Sequence, residues 1–270
     1  MGDVHEVLRR FSLKQASVEE SMRALVSYDG WYAPGAWAAD VFKTNTFENA
    51  CIWGTESTMP PGKLWLFTTV DAGHAAVARG ANPGFYVGPL RGSTVFENLP
   101  SGLAEVVVNP GSAPEMGWFM GGSAVKLGNA WGRAIALERA LEAGDDFAQK
   151  LAAFPEFLLL VHANGGIVTA VGAAGMKNPG LIFSAPDCRE AGRVKLGPGA
   201  AALRDGGAVG ATLFKELSQI GVDGYILNVG GIGPTRVFTR EACTAIVELA
   251  ANMAEADRLE AVAKALAEGT

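Results

Sequence analysis

Cysteine and histidine are scarce in this sequence, with three of each in 270 residues. Cys51, Cys188 and Cys243 are too scattered for a disulfide framework or a structural zinc site, so buried thiols in a reducing compartment are expected. His5, His74 and His162 have no second His, Cys or carboxylate at ligand spacing, and no metal is expected. Positive charge is also short: 22 Lys and Arg stand against 28 Asp and Glu, a net charge of -6. Phosphate neutralisation requires clustered cations, so a nucleic-acid partner is excluded. No apolar run approaches the roughly 18 residues of a membrane-spanning helix, and the start MGDVHEVLRR has no apolar core of a signal peptide. A soluble, cytoplasmic protein with no membrane association is the expectation. The defining residues of the nucleophile elbow, the P-loop and the zincins are absent too, and no cofactor is implied.

What is present is a globular composition, 49% hydrophobic and 19% charged, together with internal repetition. LWLFTTVDA (64 to 72) lies over GLIFSAPDC (180 to 188), matching Phe67 to Phe183, Thr68 to Ser184 and Asp71 to Asp187. VFENLPSGLAEVVVNPG (95 to 111) lies over LFKELSQIGVDGYILNVG (213 to 230), matching Phe96 to Phe214 and Asn109 to Asn228; Phe119 then falls on Phe238. VEESMRALVSYDGWY (18 to 32) lies over DDFAQKLAAFPEFLL (145 to 159). The order of elements agrees throughout, which predicts an α/β fold of two related mixed-sheet domains from an internal duplication, residues 1–143 and 144–270, with an aromatic insertion at 33–63 in the first.

Leu64 to Phe67, Val106 to Val108, Leu158 to Val161, Leu181 to Phe183 and Tyr225 to Leu227 are short apolar runs of the kind that form strands covered on both faces. Thr68 to Asp71 and Ser184 to Asp187 each place a hydroxyl three residues before a carboxylate, the pattern of a capping box at a strand-to-helix junction, and Pro186 suits a first helical turn. Asn109-Pro-Gly111 and Asn228-Val-Gly230 predict turns, with each Asn amide bonding backbone two residues on. Leu127, Trp131, Ala134, Ile135 and Leu141 recur at helical spacing, and so do Ile246, Leu249, Met253, Leu259, Val262 and Leu266, with Thr239 as N-cap. The domain boundary is expected between Leu141 and Asp146.

LWLFTTVDAGHAA followed by LAEVVVNPG resembles the amino-terminal domain of the SseB family, bacterial cytoplasmic proteins named for enhanced serine sensitivity, in which a strand ending in F-T-S and a later V-V-N-P-G turn are typical. The resemblance covers residues 60 to 121 and extends faintly over 18 to 59; the second half resembles a degenerate copy. It implies a two-domain chain of about this length, with no established catalytic activity and no catalytic residues to carry over.

Aromatic residues supply the main asymmetry. All six Trp precede the second half, and Trp31, Tyr32, Trp37, Phe42, Phe47 and Trp53 crowd into one segment. Trp and Tyr bring large rigid area with a polar tip, the composition of contact hot spots, so Trp31, Tyr32, Trp37, Phe42 and Trp53 are assigned to a surface that binds a protein partner. The competing reading folds the insertion back as a lid. Gly230-Gly-Ile-Gly-Pro-Thr-Arg236 has the composition of an anion cradle, yet the first half carries Glu115 in the corresponding stretch, and a hairpin turn accounts for both. These observations favour a non-catalytic interaction or regulatory protein, with homo-oligomers possible. A small-molecule binder is the alternative, holding an amino acid or anion in the cleft between the two domains through Asn109, Asn228 and Arg236. An enzyme assembled from separate loops would draw on Asp71, Asp187, Asp223 and His162, with His162 pointing from a strand end into a cleft.

Overall fold

The computed structural model describes residues 3–34, 63–77, 86–99, 103–110, 118–121, 123–144 and 147–268. The chain is α/β, with sheets that mix parallel and antiparallel pairs. It divides into two compact units, Met1–Ala136 and Leu137–Thr270.

In the first unit, Asp3 caps α1 (Val4–Ser12), its carboxylate accepting the His5 N–H at 3.0 Å, and the helix buries Val4, Val7 and Leu8. Ser17 caps α2 (Val18–Ser27) in the same way through the Glu20 N–H. Such side-chain acceptors satisfy amides that have no intrahelical partner. The chain continues through β1 (Trp31–Pro34), β2 (Lys63–Leu66), α3 (Val70–Val77), β3 (Tyr86–Leu90), α4 (Gly92–Glu97), β4 (Glu105–Val108), β5 (Trp118–Gly121) and α5 (Ser123–Ala143). β2 runs parallel to β4, and β4 antiparallel to β5. β1 and β3 form an antiparallel pair joined to β2 by the Tyr32–Phe67 bridge. Trp31, Leu64, Phe67, Phe96 and Trp131 are buried in this core, and the Arg23 guanidinium lies 5.5 Å from the Trp131 ring centroid.

The second unit contains α6 (Phe147–Ala153), β6 (Phe157–Val161), β7 (Gly180–Phe183), α7 (Pro186–Leu196), β8 (Arg204–Ala208), α8 (Gly210–Lys215), α9 (Leu217–Ile220), β9 (Gly224–Leu227), β10 (Arg236–Thr239) and α10 (Arg240–Glu268). Its five strands lie in the order β10-β9-β7-β6-β8, with β7 parallel to β9 and the other pairs antiparallel. β7 and β9 are buried along their whole length, as continuous apolar runs require. Phe154, Phe157, Phe214, Tyr225 and Phe238 pack edge to face or tilted, with the centroids of contacting rings 4.6 to 6.0 Å apart. α10 packs along α6 and α8, burying Cys243 and Ile246, and Thr239 caps it by accepting the Ala242 N–H.

Several pairings of the two units correspond, although the register shifts between Trp31 and Ala33 in β1–β3, while β6–β8 pairs regularly. Trp31 faces Leu90 as Phe157 faces Ala208, Tyr32 bridges Phe67 as Leu158 pairs Phe183, and Leu66 faces Val108 as Ile182 faces Leu227. One correspondence drawn from sequence is corrected. Val108 faces Trp118 but Leu227 faces Arg236, so the second hairpin is shorter and Phe119 takes the place of Val237, not of Phe238.

Three further local expectations are revised. The division falls inside α5 because its last turns serve the second unit: Leu137, Glu138 and Leu141 are buried, and the Leu141 carbonyl accepts from Arg236 at 2.6 Å. Leu127, assigned to the apolar stripe of α5, is 38% exposed. The capping boxes do not form; Thr69 receives the Ala72 N–H, while Ala185 precedes α7 without a side-chain cap. Thr68 and Ser184 are occupied elsewhere, as described below. Pro186 does open α7 in its first turn. Among the described residues, no helix is long and apolar enough to cross a membrane.

Candidate functional site

In open α/β sheets, ligands collect beyond the carboxyl ends of parallel strands, where polar loop residues converge. Here those ends carry Thr68 and Asn109 in the first unit, and Ser184 and Asn228 in the second. Both Asn residues are buried, at 2% and 0% exposure. Both adopt the left-handed region, with φ of 47° and 54°, which Asn tolerates better than other residues with a side chain. The Asn109 N–H donates to Leu66 O at 2.8 Å and the Asn228 N–H to Ile182 O at 3.0 Å. Each side chain then crosses to the neighbouring strand: Asn109 Oδ1 accepts the Thr68 N–H at 2.9 Å, and Asn228 Oδ1 accepts the Ser184 N–H at 3.0 Å. Each Asn amide thus clamps two parallel strands together.

The second clamp has an additional member. The Ser184 hydroxyl donates to Glu138 Oε1 at 2.6 Å and accepts from Asn228 Nδ2 at 2.9 Å. The first distance is in the range of a hydroxyl donating to a carboxylate. Cys188 Sγ lies 3.4 Å from the same Glu138 oxygen and 3.3 Å from the Ile232 carbonyl. Glu138 is 4% exposed. The Ser184 hydroxyl also lies 3.3 Å from Asn228 Oδ1, and in the first unit the Thr68 hydroxyl makes the corresponding contact with Asn109 Oδ1 at 3.2 Å.

Sequence reasoning missed Glu138. Its signal was a charged residue on an apolar stripe, one helical turn from both Ile135 and Leu141, where a solvated face would not place it.

The other candidates separate. Trp31 is a core residue at 0% exposure: its indole N–H donates to Leu25 O at 3.0 Å, and its ring meets Tyr28 and Phe96. It therefore supplies no exposed contact surface. Tyr32 is half-buried, with its backbone paired to Phe67. Trp37, Phe42, Phe47 and Trp53 lie outside the described residues. Arg236 is exposed and donates to the Leu141 carbonyl. His162 is exposed at a turn, its N–H bonded to Gly166 O. Asp71 is exposed, whereas Asp187 is half-buried and accepts the Cys188 N–H at 2.8 Å. Cys188 and Cys243 are buried thiols outside any disulfide, and burial pushes the Cys243 thiol up to about 12. Among the described residues, no group of His, Cys, Asp and Glu is arranged to hold a metal.

Asp223 is a loop clamp. Its carboxylate accepts the N–H groups of Lys177 at 2.7 Å and Asn178 at 2.9 Å. Desolvation opposes ionisation, but these amides outweigh it and, with Arg240, hold the carboxyl below its usual 3.8. A depressed folded value means that the stabilisation is present above the unfolded value and is lost as pH falls through the folded one. The Lys177 and Asn178 amide resonances should accordingly titrate together with a midpoint below about 3.9; a midpoint at or above that value would contradict the clamp.

Comparison of the chain with protein-family models and with curated proteins finds no match.

Proposed function

We propose that this chain is a non-catalytic interaction or regulatory protein of SseB-like type, cytoplasmic, built from a duplicated α/β unit and binding a protein partner through the aromatic-rich part of its first domain. One observation carries the non-catalytic part: at the strand ends where α/β proteins gather ligands, the polar side chains of both units are turned inward onto each other. Asn109 holds Thr68, and Asn228 holds Ser184. The matching strand pairings of the two units support the duplication. The partner surface rests on the concentration of aromatic residues between Trp31 and Trp53. Since Trp31 packs the core, the contact is assigned to Trp37, Phe42 and Trp53, with Tyr32 at its margin.

Affinity capture with the full chain tests this reading. Trp37→Ala and Trp53→Ala should each lose a protein that the wild type retains, while circular dichroism and melting temperature stay unchanged. Equal recovery by wild type and both folded variants would remove the proposed surface. Light scattering on the same samples reports whether the partner is a second copy.

A further inference from the structure

The buried carboxylate of the second unit has the surroundings of a bound ligand. Glu138 comes from α5, yet its Oε1 is held by the Ser184 hydroxyl at 2.6 Å and approached by the Cys188 thiol at 3.4 Å, both at the start of α7. The positive end of a helix favours an anion there, and α7 is 11 residues long. Above the carboxylate passes the glycine turn. A Cβ on Gly233, whose φ is +68°, would lie 2.9 Å from Glu138 Cδ and 3.0 Å from its Oε1, so only glycine leaves room for the group. On the opposite flank, Gly230 packs so closely on Ala191 and Gly192 of α7 that its own Cβ would fall 2.4 Å from the Ala191 carbonyl carbon. The turn thus closes onto the helix as a cap.

The first unit acts as an internal control. It has the same Asn clamp and the same hydroxyl contact with the Asn oxygen, but Ala72 stands where the second unit has Cys188. The thiol that approaches the carboxylate is therefore a feature of the second unit.

We propose that Ser184, Cys188 and the Gly233 turn form a receptor for one carboxylate group, occupied by the chain's own Glu138, and that a small free monocarboxylate takes the same place once the Glu138 side chain is removed. The receptor goes beyond the partner-binding reading and stands or falls independently of it. Any carboxylate entering the wild-type protein competes with Glu138, so occupancy is coupled to the seating of the last turns of α5.

Chemical rescue provides the test. In full-length Glu138→Ala, sodium formate or acetate should raise the melting temperature by about 3 °C or more with saturation, while sodium chloride at equal ionic strength leaves it unchanged and the wild type responds to neither. In a Cys51→Ser, Cys243→Ser background, Cys188 should become reactive to maleimide in Glu138→Ala, and formate should slow that reaction several-fold. Adding Ser184→Ala should abolish both effects. Equal shifts in chloride and formate, or in wild type and variant, would overturn the receptor. If Glu138→Ala does not fold in buffer, refolding from urea replaces the melt: recovery in formate or acetate but not in chloride supports the receptor, and equal recovery or equal failure in all three overturns it.

Discussion

Asn228→Ala should lower the stability of the protein by about 3 kcal/mol, and Asn109→Ala should have an effect of similar size. Two separate losses add in each case. Alanine has no local hydrogen bond to offset the left-handed backbone, where these residues sit at φ of 54° and 47°; that difference is worth about 1 kcal/mol. The buried N–H of Ser184 or Thr68 also loses its acceptor, and an unsatisfied buried donor costs about 1 to 3 kcal/mol. Glycine separates the two contributions. It relieves the backbone strain without restoring the acceptor, so Asn228→Gly should recover only the smaller part of the loss. Urea unfolding of the three variants measures both. If glycine restored full stability, the amide clamp would contribute nothing, and the inward-facing strand ends would lose their meaning for the function.

The clamps also show what a linear sequence reveals. The matching of Asn109 to Asn228 and of Thr68 to Ser184 was legible, because both pairs sit at fixed places after apolar runs. The bond between the members was not, since it joins residues 41 and 44 positions apart and depends on which strands lie side by side. Parallel pairing of β2 with β4 and of β7 with β9 supplies that missing fact. Likewise, hydroxyl and carboxylate three residues apart suggested capping boxes, but a buried hydroxyl follows its strongest available partner. For Ser184 that partner is Glu138, from a helix whose position no local pattern reveals. Trp31 illustrates the converse error: a tryptophan inside an aromatic cluster was assigned to a surface, while its place at the start of β1, opposite Leu90, directs it into the core. The residues that decide the candidate site are thus the ones whose partners are remote in sequence. Periodicity and turn chemistry, being local, placed the strands, Pro186 and Thr239 well.

Gly92→Ala and Gly210→Ala should each cost about 3 kcal/mol, at the upper end of what overpacking a close contact usually produces. The two glycines open α4 and α8, the first helix after the edge strand in their respective units. A Cβ on Gly92 would stand 2.5 Å from the Tyr28 carbonyl oxygen and 2.6 Å from that of Val26; on Gly210 it would stand 2.5 Å from the Phe154 carbonyl oxygen. Neither φ is left-handed, so space alone is at issue. A flexible side chain moves aside cheaply, but these obstacles are backbone carbonyls. They lie at or just beyond the carboxyl ends of α2 and α6, whose packing residues Leu25 and Leu151 are buried, so relief requires a helix end to shift against its core. Gly199→Ala is the matched control: nothing lies within 4 Å of its added Cβ, and an unhindered surface substitution should stay within about 0.5 kcal/mol. Because Tyr28 corresponds to Phe154 as Gly92 corresponds to Gly210, similar losses in the two variants are what a shared architecture requires. A large loss at one position with tolerance at the other would mean that the two units reach the same strand order through different packing, and the case for duplication would then rest on sequence matches alone.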